Sequence, residues 1–245
     1  MTSVSNINPY SVTDVGVPAA FADEDARAGF IRRTYTHLLG AVLALVALEM
    51  VLFAVIPENT MMGLMQRINP LSWLVVLAVF MGVSWLARSW AESDTSRSMQ
   101  YVGLGLYVVA EALILFPLLY LAVKFVGPET PFIAGVITLV CFGGLTMFVF
   151  VTRADLASWG KFLFLGGIAA MGAIVIGAFM GFSLGLWFSV AMVALACGYI
   201  LYDTSNVLHH YRTEQHVAAS LALFASVVLL FWYVLRILMY FAESE

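Results

Sequence analysis

Seven long apolar stretches constrain the fold of this 245-residue chain more than any other feature of its sequence. Each is close to about 20 residues long, the length of an α-helix that crosses a bilayer. They run approximately over 34–56, 71–90, 101–124, 131–152, 161–182, 186–208 and 218–241. Because 62% of the residues are hydrophobic and only 11% are charged, too few polar residues remain to cover a soluble domain. The sequence therefore predicts an all-α, polytopic membrane protein, a bundle of seven transmembrane helices.

The segment before the first stretch is polar and acidic, with Asp14, Asp23, Glu24 and Asp25. It lacks the basic start and apolar core of a secretory signal. We expect residues 1–30 to form a flexible tail and residues 31–245 to form one seven-helix membrane domain.

The distribution of Lys and Arg predicts the orientation, because cytoplasmic loops carry an excess of both. Eight lie on the side of the N-terminus and three on the other: Arg27, Arg32, Arg33, Arg88, Arg97, Arg153, Lys161 and Arg212 against Arg67, Lys124 and Arg236. This predicts a cytoplasmic N-terminus and, after seven crossings, a C-terminus outside. A last segment that re-enters the membrane without crossing it would instead return the C-terminus to the cytoplasm.

Several other classes of protein do not fit. A net charge of −4 without a basic stripe argues against nucleic acid as a partner. Residues 181–185 match the GxSxG pattern of serine hydrolases, but they lie in a turn between two apolar stretches, whereas that pattern needs a strand and a helix. The histidines His209, His210 and His216 match no strong ligand spacing. We expect no catalytic residue, no metal and no cofactor, so the chain is not predicted to be an enzyme.

Ionisable side chains inside the stretches are the main candidates for function, because a charge in hydrocarbon is costly. At about 1.5 Å per residue, Asp203 and Arg88 lie at one level near the inner side. Glu49 and Arg236 both lie toward the outer side, so two ion pairs are the simplest arrangement, Arg88 with Asp203 and Glu49 with Arg236. Glu111, near the midplane, is left without an obvious partner. It either lines an ion or proton path or is a neutral structural carboxyl.

Pro117 follows Glu111 by six residues in the third stretch. A proline ring inside a helix clashes with the carbonyl four residues back, here that of Leu113. We expect a kink there, with freed carbonyls beside the Glu111 carboxyl that could contribute to a cation site. A kink that serves only packing is the alternative.

Several short motifs resemble those of the Bax inhibitor family, the transmembrane Bax inhibitor motif proteins. The most specific is Gly198-Tyr199-Ile200-Leu201-Tyr202-Asp203-Thr204-Ser205-Asn206 in the sixth stretch. Others are Phe30-Ile31-Arg32-Arg33-Thr34-Tyr35, Leu115-Phe116-Pro117 and Thr152-Arg153-Ala154-Asp155-Leu156. The resemblance covers roughly residues 27–241 and is strongest to the bacterial branch, which implies a bacterial inner membrane as the location.

The resemblance implies a fold whose last helix is central and a cation leak, chiefly of calcium, that depends on pH. In that scheme two aspartates of the last two helices share a proton, and a basic residue of the second helix latches one of them. Asp203 matches the first aspartate, and Arg88 matches the latch residue by topology. Ser226 stands at the position of the second aspartate. A serine can hydrogen-bond Asp203 but cannot share its charge.

Two functions therefore remain open. The first is a pH-modulated calcium or other cation leak channel in the lipid bilayer, with Asp203, Arg88, Glu111 and Ser226 along its path or gate. The alternative is a non-conducting membrane protein that modulates a membrane-anchored quality-control protease or a stress pathway. The acidic tail and Ser226 favour this alternative.

Overall fold

The computed structural model describes residues 16–67, 69–93, 96–181 and 184–243, and within them the chain forms eight α-helices. These are α1 (Glu24–Val55), α2 (Glu58–Arg67), α3 (Pro70–Ala91), α4 (Arg97–Leu121), α5 (Glu129–Thr152), α6 (Gly160–Met180), α7 (Gly185–His209) and α8 (His216–Glu243). Seven of them, all except α2, are long and apolar enough to cross a membrane. The predicted seven-helix, all-α membrane fold is confirmed.

Local sequence signals fix where these helices begin and end. The Asn69 side chain accepts a hydrogen bond from the Ser72 backbone N–H at the start of α3, and Pro70 occupies the first turn, where its missing N–H is not needed. Arg153, which follows α5, and Gly181, which follows α6, both adopt the left-handed conformation that closes many helices. The near side of the bundle is defined as the side on which α1 begins, and the far side is the opposite one.

The far-side link after α1 contains a helix that the sequence did not predict. α2 is a short helix inside the segment read as a plain link between the first two stretches. It buries Met61, which packs against Phe116 and Tyr120 of α4. Its ten residues are too few to cross a membrane, so α2 does not alter the number of spans.

The N-terminal segment is more ordered than expected. α1 begins at Glu24, and Phe30 is fully buried, so residues 24–30 belong to the membrane domain and not to a flexible tail. Ala19 is also fully buried, and its backbone N–H donates a 2.8 Å hydrogen bond to the carbonyl of Tyr211. The burial of Ala19 and Phe30 explains why this part of the segment is ordered. Residues 1–15 of the expected tail lie outside the described residues.

α8 is the central helix of the bundle and packs against α1, α3, α4, α5 and α7. Its first turns present small buried residues, among them Ala218, Ala219 and Ser220, which let neighbouring backbones approach closely. The Ser220 hydroxyl lies 2.8 Å from the carbonyl oxygen of Thr34 in α1. The central position expected for the last helix is confirmed.

α4 continues past its internal proline. The helix runs through Pro117 to Leu121, and the chain then forms one π turn over Ala122–Val126. A π turn is often found where a helix accommodates local strain or serves a function. The irregular backbone therefore follows the proline on the far side of Glu111.

Candidate functional site

Asp203 of α7 and Ser226 of α8 meet directly inside the bundle. The Ser226 hydroxyl donates a 2.5 Å hydrogen bond to Oδ2 of Asp203. Ser226 is only 5% exposed, and the central position of α8 holds it against α7. The serine that stands where the family scheme has a second aspartate therefore contacts the first aspartate through a hydrogen bond.

Arg88 of α3 lies close enough to Asp203 for the two charges to interact through space. No ion pair within 4.0 Å joins these two described residues. Arg88 is exposed, whereas Asp203 is half-buried. The predicted inner partners are thus near each other, but the direct latch contact is not formed in this structure.

Tyr107 of α4 is a site residue that sequence reasoning missed. The guanidinium carbon of Arg88 lies 5.7 Å from the centroid of its ring. Its side chain also interacts with the Glu111 carboxyl, one turn further along α4. Phe224 of α8 and Phe80 of α3 hold the ring, with centroid distances of 6.0 and 6.3 Å. The spacing of four residues between Tyr107 and Glu111 was the available signal, since such residues face each other on a helix.

Glu111 has partners that the sequence did not reveal. Its side chain is 7% exposed and interacts with the Tyr107 side chain and, through space, with Arg88. A buried carboxyl among polar partners in a membrane bundle is typical of an ion or proton site. Glu111 is therefore connected to the Asp203 region and is not isolated at the midplane.

These five residues form one connected set, which we call the polar network: Ser226, Asp203, Arg88, Tyr107 and Glu111. It joins α3, α4, α7 and α8. Arg88 is its exposed member, and Glu111 and Ser226 are its buried ends. The arrangement offers carboxylate and hydroxyl oxygens, the ligands that hard cations prefer, on both sides of the exposed arginine.

Tyr211 covers the near side of the network. Burial, together with the neighbouring negative charge of Asp203, raises the pKa of its phenol well above the ordinary value. Tyr211 is therefore a neutral hydroxyl at any physiological pH. Its backbone carbonyl accepts the hydrogen bond from Ala19, which ties the N-terminal segment to this end of the network.

Glu49 and Arg236, the expected outer pair, are not brought together. Glu49 is 6% exposed, and neither of its carboxylate oxygens has a hydrogen-bond partner among the described residues. The Arg236 guanidinium carbon instead lies 6.0 Å from the centroid of the Tyr233 ring, one turn earlier on α8. Equal depth in the bilayer, on which the pairing was predicted, does not bring two side chains to the same side of a helix.

The near-side loop after α5 is fastened to α7 by polar contacts. The Ser205 hydroxyl accepts a hydrogen bond from the Leu156 N–H and donates one to the carbonyl of Ala154. His210 Nε2 lies 3.0 Å from Asp155 Oδ1. This contact, with a backbone N–H donated by Ala157, holds the pKa of the Asp155 carboxyl below its ordinary value.

Comparisons with known proteins cover nearly the whole membrane region. The family model described as "Inhibitor of apoptosis-promoting Bax1" matches residues 27–243. The chain is similar to Bax inhibitor 1 of Schizosaccharomyces pombe, with 28% identity over 223 residues, 90% of this chain and 80% of the relative. It is similar to Protein LIFEGUARD 4 of Arabidopsis thaliana, with 25% identity over 236 residues, 90% of this chain and 88% of the relative. An uncharacterized protein of Neisseria meningitidis is 24% identical over 176 residues, 69% of this chain and 73% of the relative.

Proposed function

This chain belongs to the Bax inhibitor family of membrane proteins, and from that premise we propose that it is a cation leak channel that carries calcium. The observation that carries the proposal is the polar network, which runs from the exposed Arg88 to the buried Glu111 inside a membrane bundle. Ionisable groups are expensive in hydrocarbon and typically mark a substrate or ion pathway. The network gives such a pathway its oxygen ligands.

Arg88 is the proposed gate of this pathway. Its positive charge lies near Asp203 and near the Tyr107 side chain, so it opposes the entry of a cation where it stands. Movement of the guanidinium toward Asp203 would close the latch, and movement toward the surface would open the route to Glu111. The exposure of Arg88 and the lack of an ion pair within 4.0 Å between it and Asp203, both described residues, leave the guanidinium room for such movement.

Dependence on pH is the second part of the proposal. Two carboxylates that share a site titrate as a coupled pair, in two separate macroscopic steps. Asp203 has a serine as its hydrogen-bonded neighbour on α8 and so titrates without that coupling. We expect cation flux in this protein to change with pH in one step, without the second step of a carboxylate pair.

Calcium flux in liposomes that contain the purified protein tests the proposal. The combined substitutions Asp203→Asn, Arg88→Ala and Glu111→Gln should change the flux strongly, because they remove every charge of the network. Glu129→Gln is the matched control, an acidic residue in the first turn of α5 outside the network. Flux that is the same in the triple variant and the unmodified protein would contradict a role for the network in conduction.

A competing function is modulation of a membrane-anchored quality-control protease without conduction. The docked N-terminal segment supports it, because residues 16–21 attach to the near-side loop that contains Arg212 and Glu214 and could display the residues before them to a partner. Capture of such a protease through residues 1–30, with no calcium flux in liposomes, would favour this function over a channel.

The location is proposed to be a bacterial inner membrane, with the N-terminus in the cytoplasm and the C-terminus outside. The excess of Lys and Arg on the near side supports this orientation. Reporter domains fused after residue 245 distinguish a C-terminus outside the cell from one in the cytoplasm, because some reporters are active only outside the cytoplasm. A reporter that works only in the cytoplasm at that position would contradict seven crossings.

A further inference from the structure

An apolar cavity of about 650 Å³ lies between α1 and α4 on the surface of the bundle. This volume falls within the roughly 300–1,000 Å³ of ligand sites in proteins. We call it the α1–α4 groove; its exposed lining includes Gly40, Ala44, Ala47, Gly105 and Val109. It opens toward the space that hydrocarbon occupies around a membrane protein.

The groove exists because small residues replace large ones along two facing helices. A side chain built on Gly40 or Gly105 would meet no other atom within 4 Å, so no part of the described chain fills this space. Beside the groove, Leu39 and Leu43 project outward and are 59% and 60% exposed. The surface is therefore a furrow between rows of larger side chains, a shape that accommodates a narrow, flexible apolar ligand.

The groove is longer than the hydrocarbon of one leaflet and shorter than that of the whole bilayer. Its lining on α1 extends from His37 to Val51. At about 1.5 Å per residue this is roughly 21 Å, compared with a hydrocarbon core of about 30 Å for both leaflets. A ligand in the groove would run along the bilayer normal with one end at the near-side surface, as an acyl chain does.

The near end of the groove is aromatic and basic. His37 and Tyr101 stack with their ring centroids 5.4 Å apart, and the His216 ring lies 5.0 Å from that of His37. His216 is 5% exposed, and its Nδ1 has no hydrogen-bond partner among the described residues. The guanidinium groups of Arg33 and Arg97 both lie within electrostatic range of this imidazole. The two guanidinium cations favour an anionic ligand at this end.

We propose that the α1–α4 groove binds an anionic phospholipid, with an acyl chain along Gly40 and Gly105 and the phosphate beside Arg33 and Arg97. The two arginines argue against a second copy of this chain as the occupant. If another copy filled the apolar groove, Arg33 and Arg97 would lie at its end without counter-charges. The site is separate from the proposed conduction path. With about 3.6 residues per turn, Gly105 and Val109 face roughly away from Tyr107 and Glu111 on α4.

Photolabelling of the full-length protein in phosphatidylcholine vesicles tests this site. The probe is phosphatidylglycerol with a photoactivatable group in one acyl chain, and labelled residues are mapped by mass spectrometry. Labels should concentrate in 40–51 and 104–109, and unlabelled phosphatidylglycerol should compete far better than added phosphatidylcholine. Inorganic phosphate should not compete, since the acyl chain contributes to binding.

Variants distinguish the two parts of the site. Gly40→Leu and Gly105→Leu place a side chain in the groove, where an added Cβ meets no atom within 4 Å, and should lower labelling several-fold. Gly82→Leu is the matched control, an exposed glycine of α3 with equally open surroundings, and should leave labelling unchanged. Arg33→Gln with Arg97→Gln should abolish the preference for phosphatidylglycerol while labelling in the groove persists.

Three results would overturn the proposal. The first is labelling spread evenly around the bundle, and the second is equal competition by phosphatidylcholine and phosphatidylglycerol. The third is crosslinking of the groove to a second copy of the chain in place of lipid. Equal thermal unfolding midpoints for the glycine variants and the unmodified protein ensure that a loss of labelling reports on the groove and not on misfolding.

Discussion

The hydroxyl of Ser226 donates a 2.5 Å hydrogen bond to the Asp203 carboxylate and so joins the central helix α8 to α7 inside the membrane. A hydrogen bond to a charged group contributes about 1.5–3 kcal/mol when its partners are well placed. The contact also defines the chemistry at this position, because a serine donates a hydrogen to the carboxylate but adds no charge. The first prediction depends on that difference.

Ser226→Asp should change the pH dependence of cation flux from one step to two. It places a second carboxyl against Asp203, and two carboxylates in one site interact by more than about 1 pK unit, so the midpoint of the flux–pH curve should move by about one pH unit or more. The flux–pH curves are measured in liposomes between about pH 5 and 8, the range in which proteins are most stable. Ser226→Asn, which adds bulk without charge, is the control. A curve for Ser226→Asp that superposes on that of the unmodified protein would refute the sensor account.

Tyr107→Phe should lower cation flux several-fold, because it removes the hydroxyl that interacts with Arg88 and Glu111. The ring contacts with Phe80 and Phe224 would remain, so the packing of the bundle should be retained. Tyr120→Phe is the control, since Tyr120 is a buried tyrosine of the same helix whose hydroxyl has no partner among the described residues. Equal flux in both variants would show that Tyr107 does not connect Arg88 with Glu111.

Removal of the N-terminal segment should increase flux several times. Residues 16–21 attach to the loop at Tyr211, next to Asp203, and so cover the near end of the polar network. Deletion of residues 1–21 uncovers this end, whereas deletion of residues 1–15 leaves the contact of Ala19 with Tyr211 in place. Liposome flux for the two deletions should therefore differ. If both deletions behave like the full chain, the segment does not restrict access.

Glu49→Met should stabilise the protein. The Glu49 carboxyl is buried with no hydrogen-bond partner among the described residues, and an unsatisfied buried polar group costs about 1–3 kcal/mol. Thermal unfolding in detergent should show a midpoint several degrees higher. Combining the change with Arg236→Met tests the ion pair expected from the sequence, because residues that do not interact have additive effects on stability. A destabilised Glu49→Met variant, or clear non-additivity, would show that Glu49 has a partner.

Asp155 should make a pH-dependent contribution to stability at the near-side surface. Its pKa is lowered in the folded protein, chiefly by the contact with His210, so its stabilising contribution is complete at neutral pH. The contribution is lost as the pH falls below the ordinary aspartate value of about 3.9 and through the lower folded value. Asp155→Asn should thus reduce the difference between the thermal unfolding midpoint at pH 7 and the midpoint at about pH 3. Because both side chains are about half exposed, with relative exposures of 46% and 52%, solvent screening keeps the effect small. If the substitution leaves this difference between the midpoints unchanged, the contact between Asp155 and His210 is not a source of acid sensitivity.

The seven spans and the central helix could be predicted because both follow from strong, local signals. Long apolar stretches specify helices in a membrane, and the residues around Asp203 and Ser226 belong to a recognisable pattern of the family. The hydrogen bond between these two residues was therefore within reach of sequence reasoning. It needed only the correct alignment of two helices that are adjacent along the chain.

The remaining features depend on how the helices rotate and pack, which hydropathy does not encode. Tyr107 looked like one aromatic among many in an apolar stretch, and only the approach of α3 brings Arg88 to its ring. Glu49 and Arg236 share a depth but not a facing surface, so the predicted pair does not form in the structure. The burial of Ala19 depends on a loop more than 190 positions along the chain, at Tyr211.

Calcium flux through Asp203→Asn in liposomes tests the central claim most directly, because this change removes one charge from the network and preserves side-chain size. Asp155→Asn at neutral pH is the matched control, the same substitution at an aspartate outside the network. The account predicts that the unmodified protein and Asp155→Asn conduct calcium equally and that Asp203→Asn alters both the rate and its pH dependence. Calcium flux that is absent from the unmodified protein, or identical in all three, would contradict it.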